Sequence, residues 1–230
     1  MTGDIRVVTI DGPSGSGKGT VSRCLAAQLR WHLLDSGALY RLVALAAERR
    51  RIPGTDEAAL ARVAADMKAS FAYRNGVEQV LLEHEDVHAA LRAETCGKLA
   101  SKIAAIPAVR HALLERQRAC ARRPGLVADG RDMGTVVFPD ATVKVFLTAS
   151  PEERALRRHK QLKQKGIDVS LRDLSKDVSQ RDQRDANRTA SPLRAAEDAR
   201  VIDSTRLSPE EVTARILPWL EAAGIESNRA

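Results

Sequence analysis

The chain has 230 residues, which is long enough for one large domain or two small ones with a buried core. Its net charge of +7 suits nucleic acid or small polyanionic ligands, but only 3% of its residues are aromatic, which disfavours base stacking along a nucleic-acid strand. It has no apolar run of membrane-spanning length, no secretion signal and only three widely spaced cysteines, so we expect a soluble cytoplasmic protein.

The first predicted elements are a strand, a glycine-rich loop and a helix. A β-branched run covers residues 6–10, and a helical pattern covers residues 21–29. Glycines let the loop turn its backbone N–H groups inward, the helix N-terminus adds partial positive charge, and Lys18 adds a full one. This context predicts a loop that holds the phosphates of a nucleoside triphosphate. Its residues are Gly12, Pro13, Ser14, Gly15, Ser16, Gly17, Lys18, Gly19 and Thr20.

This loop departs in one position from the usual phosphate-binding pattern, in which Ser or Thr directly follows the lysine. Here Gly19 follows Lys18, and Thr20 comes one residue later. We therefore expect the Thr20 hydroxyl to contact Mg²⁺ directly or through water. The order Gly-Lys-Gly-Thr is typical of kinases that phosphorylate small molecules.

The next segment alternates between extended and helical patterns. A short apolar run ends at Asp35, which predicts a strand that stops at a polar site. Asn75-Gly76 predicts a type I′ turn, so the apolar runs on either side of it form a β-hairpin. The predicted elements are a strand at 31–34, helices at 38–51 and 57–69, the hairpin at 71–82, and helices at 94–105 and 108–122.

The remaining pattern defines the fold class. Ser150 and Ser208 each open a Ser-Pro-Glu-Glu phrase, which predicts a helix start with a capping serine, a proline in the first turn and a capping-box glutamate. Further strands are predicted at 126–128, 142–147 and 200–203. Five strands alternating with helices predict an α/β fold, with a parallel sheet covered on both faces and the hairpin as an insertion.

Asp129 directly follows the predicted strand at 126–128. Ligands of open α/β sheets bind at this edge, where the strands end. A carboxylate in this position resembles the acid that holds Mg²⁺ or its waters in proteins with a phosphate-binding loop. The alternative interpretation is an ordinary charged turn.

A basic segment follows the strand at 142–147. Arg154, Arg157 and Arg158 share one face of the predicted helix, in a segment that continues to Gly166. The segment is either a lid that closes over the triphosphate and excludes water, or a solvated helix face.

A second basic cluster contains Arg181, Asp185 and Arg188, spaced i, i+4 and i+7. This spacing predicts one helical face. The cluster is either a set of exposed ion pairs, each worth about 0.2–0.5 kcal/mol, or a set of arginines that Asp185 orients toward transferring phosphates.

Four stretches resemble the signature segments of the bacterial cytidylate kinases, a family of nucleoside monophosphate kinases. They span residues 12–20, 34–41, 129–139 and 181–188. Their order and spacing also agree with that family, as does an insertion after about residue 63. The second and third stretches are more specific than the glycine-rich loop, and the resemblance covers nearly the whole chain.

The resemblance implies a P-loop kinase fold: a five-stranded parallel sheet flanked by helices, a monophosphate-binding insert with a small antiparallel β element, and a short lid. It implies a single kinase domain over residues 1–230. Within that domain we expect a nucleoside-monophosphate-binding segment at about 36–112, its β-containing insert at about 63–102, and the lid at about 154–167.

The resemblance also implies which residues contact each substrate. ATP would lie along the loop 12–20 with Arg157 and Arg158 nearby, and Thr20 and Asp129 would face its Mg²⁺. The acceptor would be CMP, and dCMP as well. The residues implied for the acceptor are Ser36, Tyr40, Arg41, Ser101, Arg110, Arg131, Asp132, Arg181, Asp185 and Arg188.

Elementary chemistry agrees with this activity. The second pKa of a phosphate monoester is about 6, so its oxygen is already a nucleophile at neutral pH and no general base is needed. Catalysis would then come from aligning two phosphates and neutralising their charge. The expected catalytic residues are Lys18, Arg131, Arg181 and Arg188.

Two alternatives remain open from the sequence. One is a related kinase that acts on UMP, AMP or shikimate. The other is a P-loop switch protein or a nucleic-acid-dependent ATPase, although no guanine-recognition or helicase motif is present. We expect small nucleotides as partners, no nucleic acid or membrane, and a monomer.

Overall fold

The computed structural model describes residues 5–74, 77–164, 166–188 and 190–226. The chain forms two compact units. The core unit combines Met1–Asp35 with Arg118–Ala230, and the inserted unit is Ser36–Gln117. The predicted turn at Asn75-Gly76 lies outside the described residues.

The core unit contains five strands and four α-helices in the part of the chain that the structure describes. The strands are β1 (Val7–Asp11), β2 (His32–Asp35), β6 (Leu126–Gly130), β7 (Val143–Thr148) and β8 (Arg200–Asp203). The helices are α1 (Lys18–Leu29), α7 (Pro151–Gln164), α8 (Leu171–Ala186) and α9 (Pro209–Ala222), and Met133–Val137 forms a π-helical turn.

The inserted unit contains the remaining elements. Its strands are β3 (Ala69–Arg74), β4 (Val77–Leu82) and β5 (Glu85–Asp86). Its helices are α2 (Ser36–Arg49), α3 (Glu57–Asp66), α4 (His88–Leu91), α5 (Glu94–Ile103) and α6 (Pro107–Arg118), whose last residue is counted with the core unit.

The strands of the core unit form one parallel sheet in the order β2-β6-β1-β7-β8. All five residues of β1 and of β6 are buried, as expected for central strands covered on both faces. Asp35 of β2 pairs in register with Asp129 of β6, so the carboxyl ends of these strands meet at one edge. The α/β fold with its parallel sheet is therefore confirmed.

The core beneath the sheet is aliphatic, because the chain has few aromatic residues. Leu25 of α1 and Ile216 of α9 are fully buried in one cluster with the central strands. Burial of one such side chain contributes about 1.5–3 kcal/mol. Trp31 and Trp219 pack at the margin of this cluster.

Local signals explain several helix ends. Ser208 and Glu211 form the predicted capping box at the start of α9, through N–H···O bonds of 2.7 and 3.1 Å. Ser150 likewise accepts the backbone N–H of Glu153 at 3.2 Å before α7. Helix α3 ends at Asp66 rather than at residue 69, because Ala69 joins a strand.

The inserted unit carries a small antiparallel sheet in the order β3-β4-β5. The two-residue strand β5 extends the predicted hairpin. Among the helices described, none is both long and apolar enough to cross a membrane.

Candidate active site

The glycine-rich loop lies between β1 and α1, as predicted. Gly15 and Gly17 have φ values of 82° and 90°, a left-handed conformation that favours glycine. At Gly12 a Cβ atom would lie 2.0 Å from the carbonyl oxygen of Leu147, so only glycine lets the loop approach β7 this closely. The buried Oγ of Ser16 has no hydrogen-bond partner among the described residues. The Ser16 hydroxyl and the backbone N–H groups of the loop are therefore available to form hydrogen bonds with a ligand.

Lys18 is the first residue of α1, and its Nζ donates to the carbonyl oxygen of Pro13 at 3.1 Å. Burial lowers the pKa of Lys18, and the positive charge of Arg131 lowers it further, against the raising effect of Asp129. Burial conversely raises the pKa of Asp129, and Lys18 opposes that shift. An incoming polyphosphate would supply the negative charge that keeps Lys18 protonated.

A metal site was predicted from Thr20 and Asp129. Asp129 is buried at the end of β6, beside Asp35. A Cβ atom on Gly19 would lie 3.1 Å from its Oδ2, so the glycine keeps the space in front of this carboxylate open. Thr20, one position later, is exposed. These oxygen donors suit Mg²⁺. Within the described residues no cluster of three His, Cys, Asp or Glu side chains could hold a metal without a ligand's help.

A buried ion cluster forms around Asp185. Its Oδ2 accepts from Nε of Arg131 at 3.0 Å, and its Oδ1 accepts from Arg188. Burial alone would raise the pKa of Asp185, but Arg131, Arg188 and Arg181 outweigh burial and hold it below its usual value. The exposed ion-pair alternative is therefore wrong for Arg188 and Asp185, which are 8% and 2% exposed.

The prediction that Arg181, Asp185 and Arg188 share one helical face is wrong in one respect. Helix α8 ends at Ala186, so Arg188 lies beyond the helix. The backbone turns there, and the N–H of Leu193 donates to the carbonyl oxygen of Asp185 at 2.8 Å. Nε of Arg188 is buried without a hydrogen-bond partner among the described residues, which leaves a donor for a ligand.

The three arginines of α7 lie in one continuous helix, as predicted, but they make different contacts. Arg154 is buried and forms an ion pair with Asp182 at 2.5 Å, and it also donates to the carbonyl oxygen of Ser14 in the phosphate loop. Arg157 donates to Ser204, and a Cβ atom on Gly17 would lie 3.6 Å from its Nη1, so it lies beside the loop.

Arg158 is partly exposed, and its Nη1 donates to Oε1 of Gln161 at 3.2 Å. Ser204 follows β8, and its Oγ donates to the carbonyl oxygen of Ser16 at 2.8 Å. Sequence reasoning missed Ser204, although its place directly after a strand end was a usable signal.

Asp132, predicted to contact the acceptor, is 2% exposed at the N-cap of the π-helical turn. Arg131 precedes it and is held by Asp185. The core unit therefore brings Lys18, Asp129 and the Asp185 cluster to the strand ends of one sheet.

The acceptor residues predicted in the inserted unit form two groups. The Arg110 guanidinium lies 5.7 Å from the centroid of the Tyr40 ring and donates to the carbonyl oxygen of Ala104 at 3.1 Å. Arg41 donates to the carbonyl oxygen of Leu91 at 2.5 Å and lies against the backbone of α5 at Gly97.

Two serines complete the predicted acceptor set of the inserted unit. Ser36 is buried as the first residue of α2. The Oγ of Ser101, in α5, is buried without a hydrogen-bond partner among the described residues. A buried hydroxyl left in this state is a candidate ligand contact, because an unpaired polar group costs stability unless something binds it.

A glycine-rich loop between β1 and α1, an acid at the end of β6 and buried arginines beside them define a P-loop kinase. The family model described as "Cytidylate kinase" matches residues 8–222. The chain belongs to the cytidylate kinase family.

Curated relatives agree over nearly their full length. The cytidylate kinase of Aeromonas salmonicida is 56% identical over 94% of both chains. That of Methylococcus capsulatus is 57% identical over 92% of this chain and 95% of its own, and that of Photobacterium profundum is 55% identical over 94% and 95%.

Proposed function

We propose that this enzyme transfers the γ-phosphoryl group of ATP to CMP, and to dCMP, giving CDP or dCDP and ADP. The observation that carries the proposal is the buried cluster of Asp185 with Arg131 and Arg188, in the same unit as Lys18. Arginines held this way cost no reorganisation when negative charge develops on a transferring phosphate.

ATP binds along the loop 12–20, with its phosphates against the backbone N–H groups and Lys18. Arg157 and Arg158, in a lid at about 154–167, lie toward the ATP. Thr20 and Asp129 would hold Mg²⁺, with or without water, and the ion would neutralise part of the charge of the phosphates. Two observations support these contacts. Gly19 leaves space in front of Asp129, and the buried Ser16 hydroxyl has no hydrogen-bond partner among the described residues.

The residues that we propose for the acceptor monophosphate belong partly to the core unit and partly to the inserted unit. The phosphate of the acceptor is already a dianion near neutral pH, so the protein needs only to align it and neutralise its charge. Arg131, Arg181 and Arg188 perform that task together with Lys18. The acceptor-binding segment is the inserted part of a single kinase domain, and its contacts are Ser36, Tyr40, Arg41, Ser101 and Arg110.

Base choice depends on Asp132 and Arg110. Cytosine carries an amine donor at position 4, which a carboxylate accepts, whereas uracil presents an acceptor there. Arg110 can donate to the N3 and O2 acceptors of cytosine, but N3 of uracil carries a proton. Each polar group left unmatched by uracil costs about 1–3 kcal/mol, so we expect discrimination against UMP of ~10³-fold. The burial of Asp132 supports this assignment.

The test follows ADP formation with ATP and each nucleoside monophosphate. The wild type is expected to turn over CMP with a kcat/KM about 10³-fold above that for UMP. Asp132→Ala is expected to lose most CMP activity while UMP turnover and the KM for ATP stay near wild type. Exposed Asp140→Ala is the matched control and keeps the wild-type ratio. ATP hydrolysis stimulated by DNA or RNA, with no monophosphate accepted, would contradict the proposal.

We further propose that the enzyme is a cytoplasmic monomer whose partners are nucleotides alone. Sedimentation equilibrium with and without ATP and CMP checks the oligomeric state, and a dimer at assay concentration would contradict it.

A further inference from the structure

Asp11 is a buried carboxylate with an unusual pair of partners. It is the last residue of β1 and is 5% exposed. Its Oδ1 accepts the backbone N–H of Met133, and its Oδ2 accepts that of Gly134, both at 2.8 Å. Each carboxylate oxygen thus receives one N–H at the start of the π-helical turn.

The π-helical turn directly follows Arg131 and Asp132. Asp132 occupies its N-cap with φ −147° and ψ 23°, yet its side chain makes no capping hydrogen bond. Asp11, from another strand, caps the turn instead. The cap of this turn is therefore supplied by Asp11 rather than by the residue at the N-cap position.

The surroundings of Gly134 show how closely the π-helical turn packs against β1. A Cβ atom there would lie 2.9 Å from Oγ1 of Thr9 and 3.2 Å from Cδ of Lys144. A side chain at this position would have to displace Thr9 or Lys144, or move the turn away from β1 and from Asp11.

We infer that Asp11 is a positioning residue that fixes Arg131 and Asp132 relative to the phosphate loop. The loop begins at the next residue, Gly12. One carboxylate therefore ties the segment that recognises the acceptor to the loop that holds ATP. The inference rests on the proposed function, in which Asp132 recognises cytosine and Arg131 contacts phosphate.

A carboxylate suits this position better than an amide. Both oxygens of an ionised Asp11 accept, whereas Asn has one accepting oxygen and an NH₂ group that would face an N–H. Asp11→Asn keeps the size of the side chain and breaks one of the two hydrogen bonds. The turn should then shift, and with it Asp132.

In Asp11→Asn we expect the KM for CMP to rise about tenfold and the CMP/UMP ratio of kcat/KM to fall about tenfold, as loss of one buried hydrogen bond implies. The KM for ATP should stay within about twofold, because the loop backbone is intact. A purely structural role would not change the base ratio.

Ile216→Ala is the matched control for lost stability. Ile216 is fully buried in α9 and belongs to the aliphatic cluster, away from the proposed contacts. The variant Ile216→Ala should lower the melting temperature at least as much as Asp11→Asn does. It should leave the CMP/UMP ratio of kcat/KM unchanged. An equal change of ratio in Ile216→Ala would overturn the inference.

Gly134→Ala tests the same contact from the other side and remains informative if Asp11→Asn fails to fold. Its Cβ displaces the turn from Thr9 while Asp11 stays intact, so the CMP/UMP ratio should again fall. If wild type prefers CMP and the folded variants keep that preference, the inference is wrong and the proposed function stands. If wild type does not phosphorylate CMP, the proposed function itself fails.

Discussion

At the scale of single residues, Lys18 has the most direct expected effect on the reaction. Lys18→Ala removes a preorganised positive charge, so we expect kcat to fall by roughly 10²–10⁴. The fold should survive, since the loop keeps its backbone hydrogen bonds, such as that from the N–H of Val21 to Gly17. Steady-state kinetics measure the effect, with exposed Lys68→Ala as the charge control. A near-normal kcat with only a lower melting temperature would refute the catalytic role.

Arg188 is expected to contribute to the transition state in addition to its buried ion pair with Asp185. Arg188→Ala should lower kcat and kcat/KM together, by about 2–4 kcal/mol of transition-state stabilisation. Arg200→Ala is the control, because Arg200 is exposed and contacts only the Trp219 ring, at 4.9 Å, among the interactions described. Unchanged kinetics in Arg188→Ala, matching those of Arg200→Ala, would leave Arg188 a structural residue.

Sequence reasoning identified those site residues that stand in local patterns. Lys18 and Asp129 follow from the order of strand, loop and acid, and the structure places both at the strand ends. Asp11 and Ser204 were missed because their hydrogen bonds span 122 and 188 residues. The position of each residue at or after a strand end was a usable signal, but no short-range pattern identifies the distant partner of the hydrogen bond.

At the scale of secondary-structure elements, Gly97 within α5 is expected to lower the stability of the helix and to favour substrate binding by leaving room for Arg41. Glycine costs about 1 kcal/mol relative to alanine in a helix interior. A Cβ atom there would lie 3.2 Å from Nη2 of Arg41, the flexible end of a side chain, so the arginine would move at small cost.

We therefore expect Gly97→Ala to melt at an equal or higher temperature while its KM for CMP rises severalfold, because Arg41 leaves its position. Lys102→Ala, exposed on the same helix, is the control for an alanine substitution in α5 that does not touch Arg41. Thermal denaturation and steady-state kinetics measure both effects. A lower melting temperature, or an unchanged KM for CMP, would show that Gly97 serves packing alone.

The long periodic elements were predictable, and the short ones were not. The five core strands and helices α1, α2 and α9 follow from apolar periodicity and capping signals. Strand β5 and helix α4 have two and four residues, too few for any period to show. The end of α8 at Ala186 was missed because the following residues continue a charge pattern that suits a helix.

At the scale of the whole molecule, Asp11 should make stability depend on pH. Burial raises the pKa of Asp11 from 3.8 to about 6, and the N–H groups of Gly134 and Met133 oppose that shift. Between these values the folded protein holds a proton that the unfolded chain has released. The contribution of Asp11 to stability is thus complete below pH 3.8 and is lost as the pH rises through about 6.

Relative to Asp11→Asn, the wild type should therefore lose about 3 kcal/mol of unfolding free energy between about pH 4 and pH 7. Urea denaturation followed by circular dichroism at a series of pH values measures the difference between the two curves. Taking that difference removes most of the contribution of Asp129, because burial is the main cause of its raised pKa and the charge of Asp11 is the smallest of the causes. Two parallel curves would show that Asp11 titrates as an exposed carboxylate does.

The placement of the two tryptophans has a spectroscopic consequence. Trp31 contacts Gly125, where a Cβ would lie 2.4 Å from its ring, and Trp219 lies under Arg200. Both belong to the core unit, and the chain has two tryptophans in all. Emission excited at the red edge of the indole band therefore follows the core unit alone, while ellipticity follows the helices of both units. Comparing the two signals along one titration shows whether the inserted unit melts with the core or before it.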